Sequence, residues 1–237
     1  MNYQAKRKKT LVLMIVIFIL TIILSVLFGI LKIQTDIKLM IIAIVLIIAM
    51  VFLVKLKASF DYYSYIYSLD TLINNSNKPI KITKALYTKS WFKLIEDNNY
   101  KLYSKNNLFS LYYRFVNIGK SKKTKSAVFL VVMHQDIDFH NDEITKSINS
   151  FENEFLRKER FYNYIILQFK HTVKLDQNNI KNANKVFFSK EGKYNYVVII
   201  NSLFSTSENL VYFLHSKNNY YPNIFYEFGV NEIKNLI

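Results

Sequence analysis

Cysteine is absent from the chain, so disulfides, thiolate nucleophiles and Cys-based zinc sites are excluded. That absence leaves the compartment open. Glycine is almost as scarce: only positions 29, 119, 192 and 229 carry it, too few and too scattered for a phosphate loop or a dinucleotide fingerprint. Gly119-Lys120-Ser121 has the end of a phosphate-loop pattern without its first glycine, and reads as part of a basic surface loop, 119–125. Proline occurs twice, so breaks between elements must come mainly from Asn, Ser and Lys runs. Acidic residues number 17 against 32 Lys and Arg, and this shortage is local. Residues 1–57 hold eight bases against Asp36, and residues 78–125 hold twelve against Glu96 and Asp97, whereas 126–237 balance.

Charge is missing altogether from Thr10 to Leu31 and again from Leu39 to Val54. At about 1.5 Å per residue the first run makes a helix of ~33 Å, enough for a ~30 Å hydrocarbon core, and the second reaches ~24 Å. Lys38 and Lys55 bracket the shorter run, and lysine stems can lie along acyl chains while their ammonium groups reach water. The sequence therefore predicts a transmembrane hairpin over 10–54, with spans 10–31 and 39–54. A signal peptide would share the pattern of a charged start and an apolar run. Here the run is too long and no small-x-small site follows Leu31, so the hairpin is expected to be retained. Lys6, Arg7, Lys8 and Lys9 precede the first span, and Lys55 and Lys57 follow the second. Cations resist translocation, which predicts a multi-pass protein of the cell (inner) membrane with both termini in the cytoplasm. The spans contain no ionised group and only Thr10, Thr21 and Ser25 as polar side chains, so an anchor is expected rather than a pore.

The remaining chain divides into a basic cytoplasmic start over 1–9, a juxtamembrane aromatic helix over 55–77, and a cytoplasmic α/β or α+β domain over 78–237 with a mixed sheet and flanking helices. Phe60, Tyr62, Tyr63, Tyr65 and Tyr67 form an aromatic belt at headgroup level or, alternatively, a stacking platform. Asn74-Asn75-Ser76-Asn77 and Pro79 end the helix. Within the domain the patterning predicts a short strand over 80–86, a helix from Thr88 or Lys89 to Asp97, and a hairpin of strands 100–104 and 108–117. The apolar run Ala127–Met133 lacks alternation, as expected of a strand covered on both faces. Ile144, Ile148, Phe151, Phe155 and Leu156 make the amphipathic face of a helix over 141–160, and 164–169 is the next strand. Val186–Ser189 and Tyr196–Asn201 form a hairpin around Gly192. Ser207–His215 fits a short helix capped by Ser207, with a strand over 210–214 as the other reading, and a terminal helix falls within 220–237.

Few residues offer chemistry. His134, Asp136, Asp138 and His140 follow the apolar strand at period two, at the strand end where α/β domains commonly place sites. Imidazoles and carboxylates can ligate a divalent metal ion or act as general bases. In an extended backbone such residues lie ~7 Å apart, so the loop would have to curl before they shared one ion. A solvated turn, with Asp142 and Glu143 favouring a helix N-terminus, accounts for the same residues. Gln168-x-Lys170 at the end of the next strand invites comparison with the Asp…(Asp/Glu)-x-Lys pattern of metal-dependent phosphodiester cleavage. It departs from that pattern in having glutamine for the acid and a long helix between the strands, and it carries no family resemblance. His171 and His215 stand alone, and Arg114 is an anion contact or a cross-strand packing residue.

The basic segment supplies Lys78, Lys81, Lys84, Lys89, Lys93, Lys120, Lys122, Lys123 and Lys125 for an anionic surface. Anionic headgroups would attract them at ~1 kcal/mol each. Nucleic acid could use the same charges, with Tyr100, Tyr103, Tyr112 and Tyr113 for stacking. The sequence thus points to an interaction or scaffolding module at the cytoplasmic membrane surface, with a protein partner among its possible ligands. The alternatives are a metal-dependent, nuclease-like hydrolase built on the 134–140 loop and a membrane-tethered nucleic-acid-binding module.

Overall fold

The computed structural model describes residues 2–119, 125–134, 137–155, 160–173, 175–191 and 195–237. The chain forms two compact units, Met1–Thr71 and Leu72–Ile237. The first is built on α1, Tyr3–Ile30, and on α2, Thr35–Asn74, which ends in the second unit. Their 28 and 40 residues make helices of about 42 and 60 Å. Both are long and apolar enough to cross a membrane. The second apolar run, Leu39 to Val54, lies inside one continuous helix that starts before Lys38 and continues through the tyrosine cluster. Nothing in Lys55–Asp70 breaks a helix, because the segment has neither glycine nor proline.

The two helices run antiparallel as a hairpin. Lys38 Nζ donates to the Gly29 carbonyl at 3.1 Å near the turn. At the other end, Lys6 lies 5.6 Å from the Tyr63 ring centroid and Arg7 lies 4.9 Å from that of Tyr67. The hydroxyls of Thr10, Thr21 and Ser25 bond to the carbonyls of Lys6, Ile17 and Thr21, so each polar group within the apolar stretch is satisfied by its own helix.

The second unit carries an eight-stranded mixed sheet. Its strands are β1 (Ile80–Lys81), β2 (Lys101–Lys105), β3 (Phe109–Asn117), β4 (Lys125–Met133), β5 (Phe161–Thr172), β6 (Phe187–Glu191), β7 (Asn195–Ser205) and β8 (Leu210–Tyr212). The order is β1-β8-β7-β5-β4-β3-β2, with β6 also paired to β7. Strands β4, β5 and β7 are mutually parallel at the centre, and the other pairings are antiparallel. A parallel pair needs a crossover, and α4 (Asp142–Phe155) supplies it between β4 and β5. Its Ile144, Ile148 and Phe151 pack on Phe129, Val131 and Ile166 of one sheet face.

The opposite face receives α3 (Lys89–Asp97) and α6 (Ile224–Leu236). Thr88 caps α3, and Asn99 at φ 65° ends it in the left-handed region that asparagine tolerates. Asn223 caps α6 by accepting from the amides of Phe225 and Tyr226. Gly229 of α6 lies so close to the sheet that a Cβ there would approach Ile200 to 2.9 Å. A further helix, α5 (Gln177–Ala183), was not expected from its polar, asparagine-rich sequence; Asp176 caps it.

Two expectations for short elements fail. The helix over 207–215 is replaced by a turn with Asn209 at φ 55°, followed by β8. Here β8 gains ladders on both sides, to β7 and β1, and the Ser207 hydroxyl meets Ser205 rather than capping a helix. The strand over 80–86 shrinks to β1, because Ile82, Thr83 and Lys84 donate their amides to Asn209 and Ile237 instead of to a neighbouring strand.

Candidate functional site

The carboxyl ends of the parallel strands meet the connector between β1 and α3 in a cleft of about 370 Å³. This is the edge where open α/β sheets commonly place their ligands. His134 follows β4, His171 lies in the last turn of pleat of β5, and Thr206 follows β7. Ile82 to Tyr87 of the connector, excluding Thr83, line the other side, with Met133, Phe204 and Asn209 completing the walls.

The connector has little regular structure and is held by side-chain and terminal-helix contacts. Thr83 donates through its amide and its hydroxyl to the Ile237 carbonyl, Lys84 Nζ bonds the Asn235 carbonyl, and Trp91 Nε1 donates to the Leu236 carbonyl at 2.8 Å. Tyr87 adopts φ 60°, an uncommon conformation for a bulky residue. Its hydroxyl donates to the Phe169 carbonyl at 3.0 Å, and its ring stacks on Trp91 and tilts against His171 at 5.7 Å. Burial pushes the Tyr87 phenol above its ordinary range, so it stays protonated and committed to that hydrogen bond.

His134 is exposed, and its Nε2 lies 2.8 Å from the Ser110 hydroxyl. Partial desolvation and the charge of Lys105 lower its pKa, which keeps the imidazole neutral at pH 7. A serine beside a neutral imidazole has the first contact of a nucleophile and base pair. Ser110 is only 1% exposed, however, and does not line the cleft, so a substrate carbonyl cannot reach it there. His171 Nε2 lies 3.3 Å from the Thr206 hydroxyl. The cleft thus presents imidazole, hydroxyl, amide and ammonium groups above apolar walls.

The other residues singled out in the sequence lie elsewhere. Asp138 and His140 are exposed, and Asp136 lies outside the described residues. Among the described residues no group of three or more His, Asp or Glu is placed to hold a metal ion. Gln168 and Lys170 alternate with His171 along β5 and so point to the opposite sheet face from it. They are 4% and 5% exposed, and the Lys170 ammonium lies 5.7 Å from the Phe139 ring centroid. Gln168 is in register with Asn201 on β7. Asn201 Nδ2 donates to the carbonyls of Asn182 and Lys185, tying the end of α5 to the sheet. Nδ2 facing those carbonyls turns Oδ1 away from them, and neither Asn201 Oδ1 nor Gln168 Oε1 has a hydrogen-bond partner among the described residues.

Arg114 is a packing residue with an ionic partner. Its Nη2 pairs with Glu232 of α6, its Nη1 donates to the Asn98 carbonyl, and its guanidinium lies 4.6 Å from the Tyr100 ring centroid. The Tyr100 hydroxyl donates to the same Glu232 carboxylate at 3.0 Å. His215 is 1% exposed and stacks on Phe213, with Nδ1 3.1 Å from the Phe213 carbonyl. Nδ1 therefore carries the proton, while Nε2 has no partner among the described residues. Burial lowers its pKa, since a second proton on Nε2 would find no acceptor. Of the lysines assigned to an anionic surface, Lys78, Lys81, Lys89 and Lys93 are exposed, Lys84 is partly buried at the cleft, Lys125 begins β4, and Lys120, Lys122 and Lys123 lie outside the described residues.

His171, Thr206, Tyr87, Lys84 and Asn209 were not grouped with His134 by sequence reasoning. Their shared signal is position: each follows or ends a strand, or lies in the short connector before α3, and only the pairing of β5 with β7 brings them to one edge. No protein-family model matches the chain, and neither do the curated proteins or the solved structures compared with it.

Proposed function

We propose that the chain is a two-span protein of the cytoplasmic membrane whose Leu72–Ile237 domain acts as an interaction module on the cytoplasmic side. The observation that carries this reading is the outward orientation of the hairpin's apolar side chains. No residue in the most apolar 18-residue window of α1 is buried, and only 6% of the corresponding window of α2 is. A surface of that kind is costly in water and stable in lipid. Lys6 to Lys9 at one end, together with the tyrosines of α2 beside Lys6 and Arg7, have the chemistry of an interfacial collar. The exposed Lys78, Lys81, Lys89 and Lys93 then dock on anionic headgroups. Binding is favoured over hydrolysis because Ser110, the hydroxyl paired with an imidazole, is sequestered in the sheet.

The test uses the full chain with a single fluorophore on Lys93→Cys, reconstituted in nanodiscs carrying a headgroup quencher. Quenching in anionic but not zwitterionic lipid, relieved by salt, is the expected result. Equal quenching in both lipids removes the docking step. Loss of quenching on adding an oligonucleotide, with none in its absence attributable to lipid charge, would favour nucleic acid as the partner.

A further inference from the structure

We infer that the cleft at the carboxyl ends of β4, β5 and β7 is a binding site for a small organic anion with an apolar body, a carboxylate or phosphate ester rather than a free inorganic ion. Charge complementarity gives the sign. Among the described residues the ionisable side chains of the lining, apart from the committed Tyr87 phenol, are Lys84, His134 and His171, with no carboxylate. Glu208, the acid next to Asn209 in sequence, is bonded to the Tyr212 hydroxyl. Lys105 adds a further positive charge near His134. An anion entering the cleft would thus meet the imidazoles of His134 and His171, whose protonation it would favour, and the Lys84 ammonium, which also bonds the Asn235 carbonyl, with the Thr206 hydroxyl and the Asn209 amide as neutral donors.

The walls give the body. Ile82, Leu86, Tyr87, Met133 and Phe204 line the same space, and about 370 Å³ suits a compact ligand rather than a chain segment. Tyr87 holds its ring across this space from a left-handed backbone conformation, fixed by its bond to the Phe169 carbonyl and by Trp91 behind it. A wall so held costs little further ordering when a ligand arrives. The cleft would bind this anion whether or not the hairpin lies in lipid.

Phenyl phosphate is the probe, titrated into the detergent-solubilised full chain while the imidazole resonances of His134, His140, His171 and His215 are followed by NMR. Saturable shifts of His134 and His171, with His140 and His215 unmoved, are expected. The bound anion should also raise the titration midpoints of both cleft histidines, so binding should be tighter at about pH 6 than at about pH 8. The groups facing them that set this dependence are Ser110 and Lys105 for His134, Tyr87 and Thr206 for His171, and Lys84 at the rim. Inorganic phosphate should bind at least about tenfold more weakly than phenyl phosphate, and benzyl alcohol likewise. His171→Gln should weaken phenyl phosphate by about tenfold at about pH 6, and the wild-type titration stands alone should that variant not fold. Shifts confined to His140 or His215, no shift at all, or equal affinity for phenyl phosphate and either control would overturn the assignment.

Discussion

His215 and His134 both have pKa values lowered first by desolvation and further by a nearby lysine, and this makes their contributions to stability readable. His215 is buried with an unpartnered Nε2, and His134 is partly desolvated beside Lys105. Both folded-state pKa values lie below the ordinary imidazole value, so in the window beneath that value the unfolded chain binds protons that the folded chain refuses. Stability must therefore fall as pH drops through the ordinary imidazole range. Thermal unfolding at about pH 7.5 and about pH 5.5 should give the lower midpoint in acid, and His215→Gln should flatten the dependence while lowering the midpoint at both. A steeper dependence in that variant would contradict the assignment. Gly229 gives a second residue-level expectation. An added Cβ meets Ile200, Leu167 and Ile165 at 2.9 to 3.3 Å, all side chains of the sheet it packs on. Gly229→Ala should lose about 0–2 kcal/mol net, an overpacking cost of about 1–3 kcal/mol less alanine's helix-propensity gain of ~1 kcal/mol. Chemical denaturation would measure it. Neither residue's environment was legible in the sequence: His215 reads as a lone histidine, and Gly229 as one of four scattered glycines.

At the scale of elements, the ion pair of Arg114 with Glu232 joins β3 to α6, with Tyr100 of the α3–β2 connection sharing the carboxylate. The pair is 16% and 12% exposed, so removing one partner strands a largely desolvated charge. Glu232→Ala should cost about 3 kcal/mol, and Arg114→Met combined with Glu232→Leu should recover part of that loss. Denaturant midpoints of the single and double variants check this, and a double variant less stable than Glu232→Ala would refute it. Elements with strong periodicity or continuous apolar runs were legible beforehand. The run Ala127–Met133 is a strand buried on both faces, and Ile144, Ile148 and Phe151 are the buried face of α4. Elements decided by pairing rather than by local preference were less so: a strand at 210–214 stood only as the second reading beside a helix, and α5 was not foreseen. Leu210–Tyr212 becomes a strand by fitting between β7 and β1, and α5 is tied to the sheet by Asn201, which donates to the Asn182 carbonyl within it and the Lys185 carbonyl just beyond it.

For the whole molecule, the apolar hairpin was visible in composition because helices apolar on every side need no periodicity, only an unbroken lack of charge. The C-terminal end of α2 was visible as well, in the Asn74-Asn75-Ser76-Asn77 run and Pro79 that stop it, whereas its start at Thr35, ahead of Lys38, was not. The candidate site was half legible. The end of β4 is recoverable from the apolar run, and His134 stands at it, but its neighbours come from β5, β7 and a connector far away in sequence. Gln168 and Lys170, attractive as a spacing, alternate onto the other face and into the interior.

The absence of native cysteine allows a direct measurement of the central claim, that the hairpin crosses the membrane and leaves both ends of the chain in the cytoplasm. Thr35→Cys, in the exposed turn that opens α2, would be treated in intact cells with a membrane-impermeant maleimide. Labelling of Thr35→Cys from outside, with Lys93→Cys reacting only after the cells are opened, is the result expected. Labelling of Lys93→Cys in intact cells, or recovery of the chain in the detergent-free soluble fraction, would contradict the account.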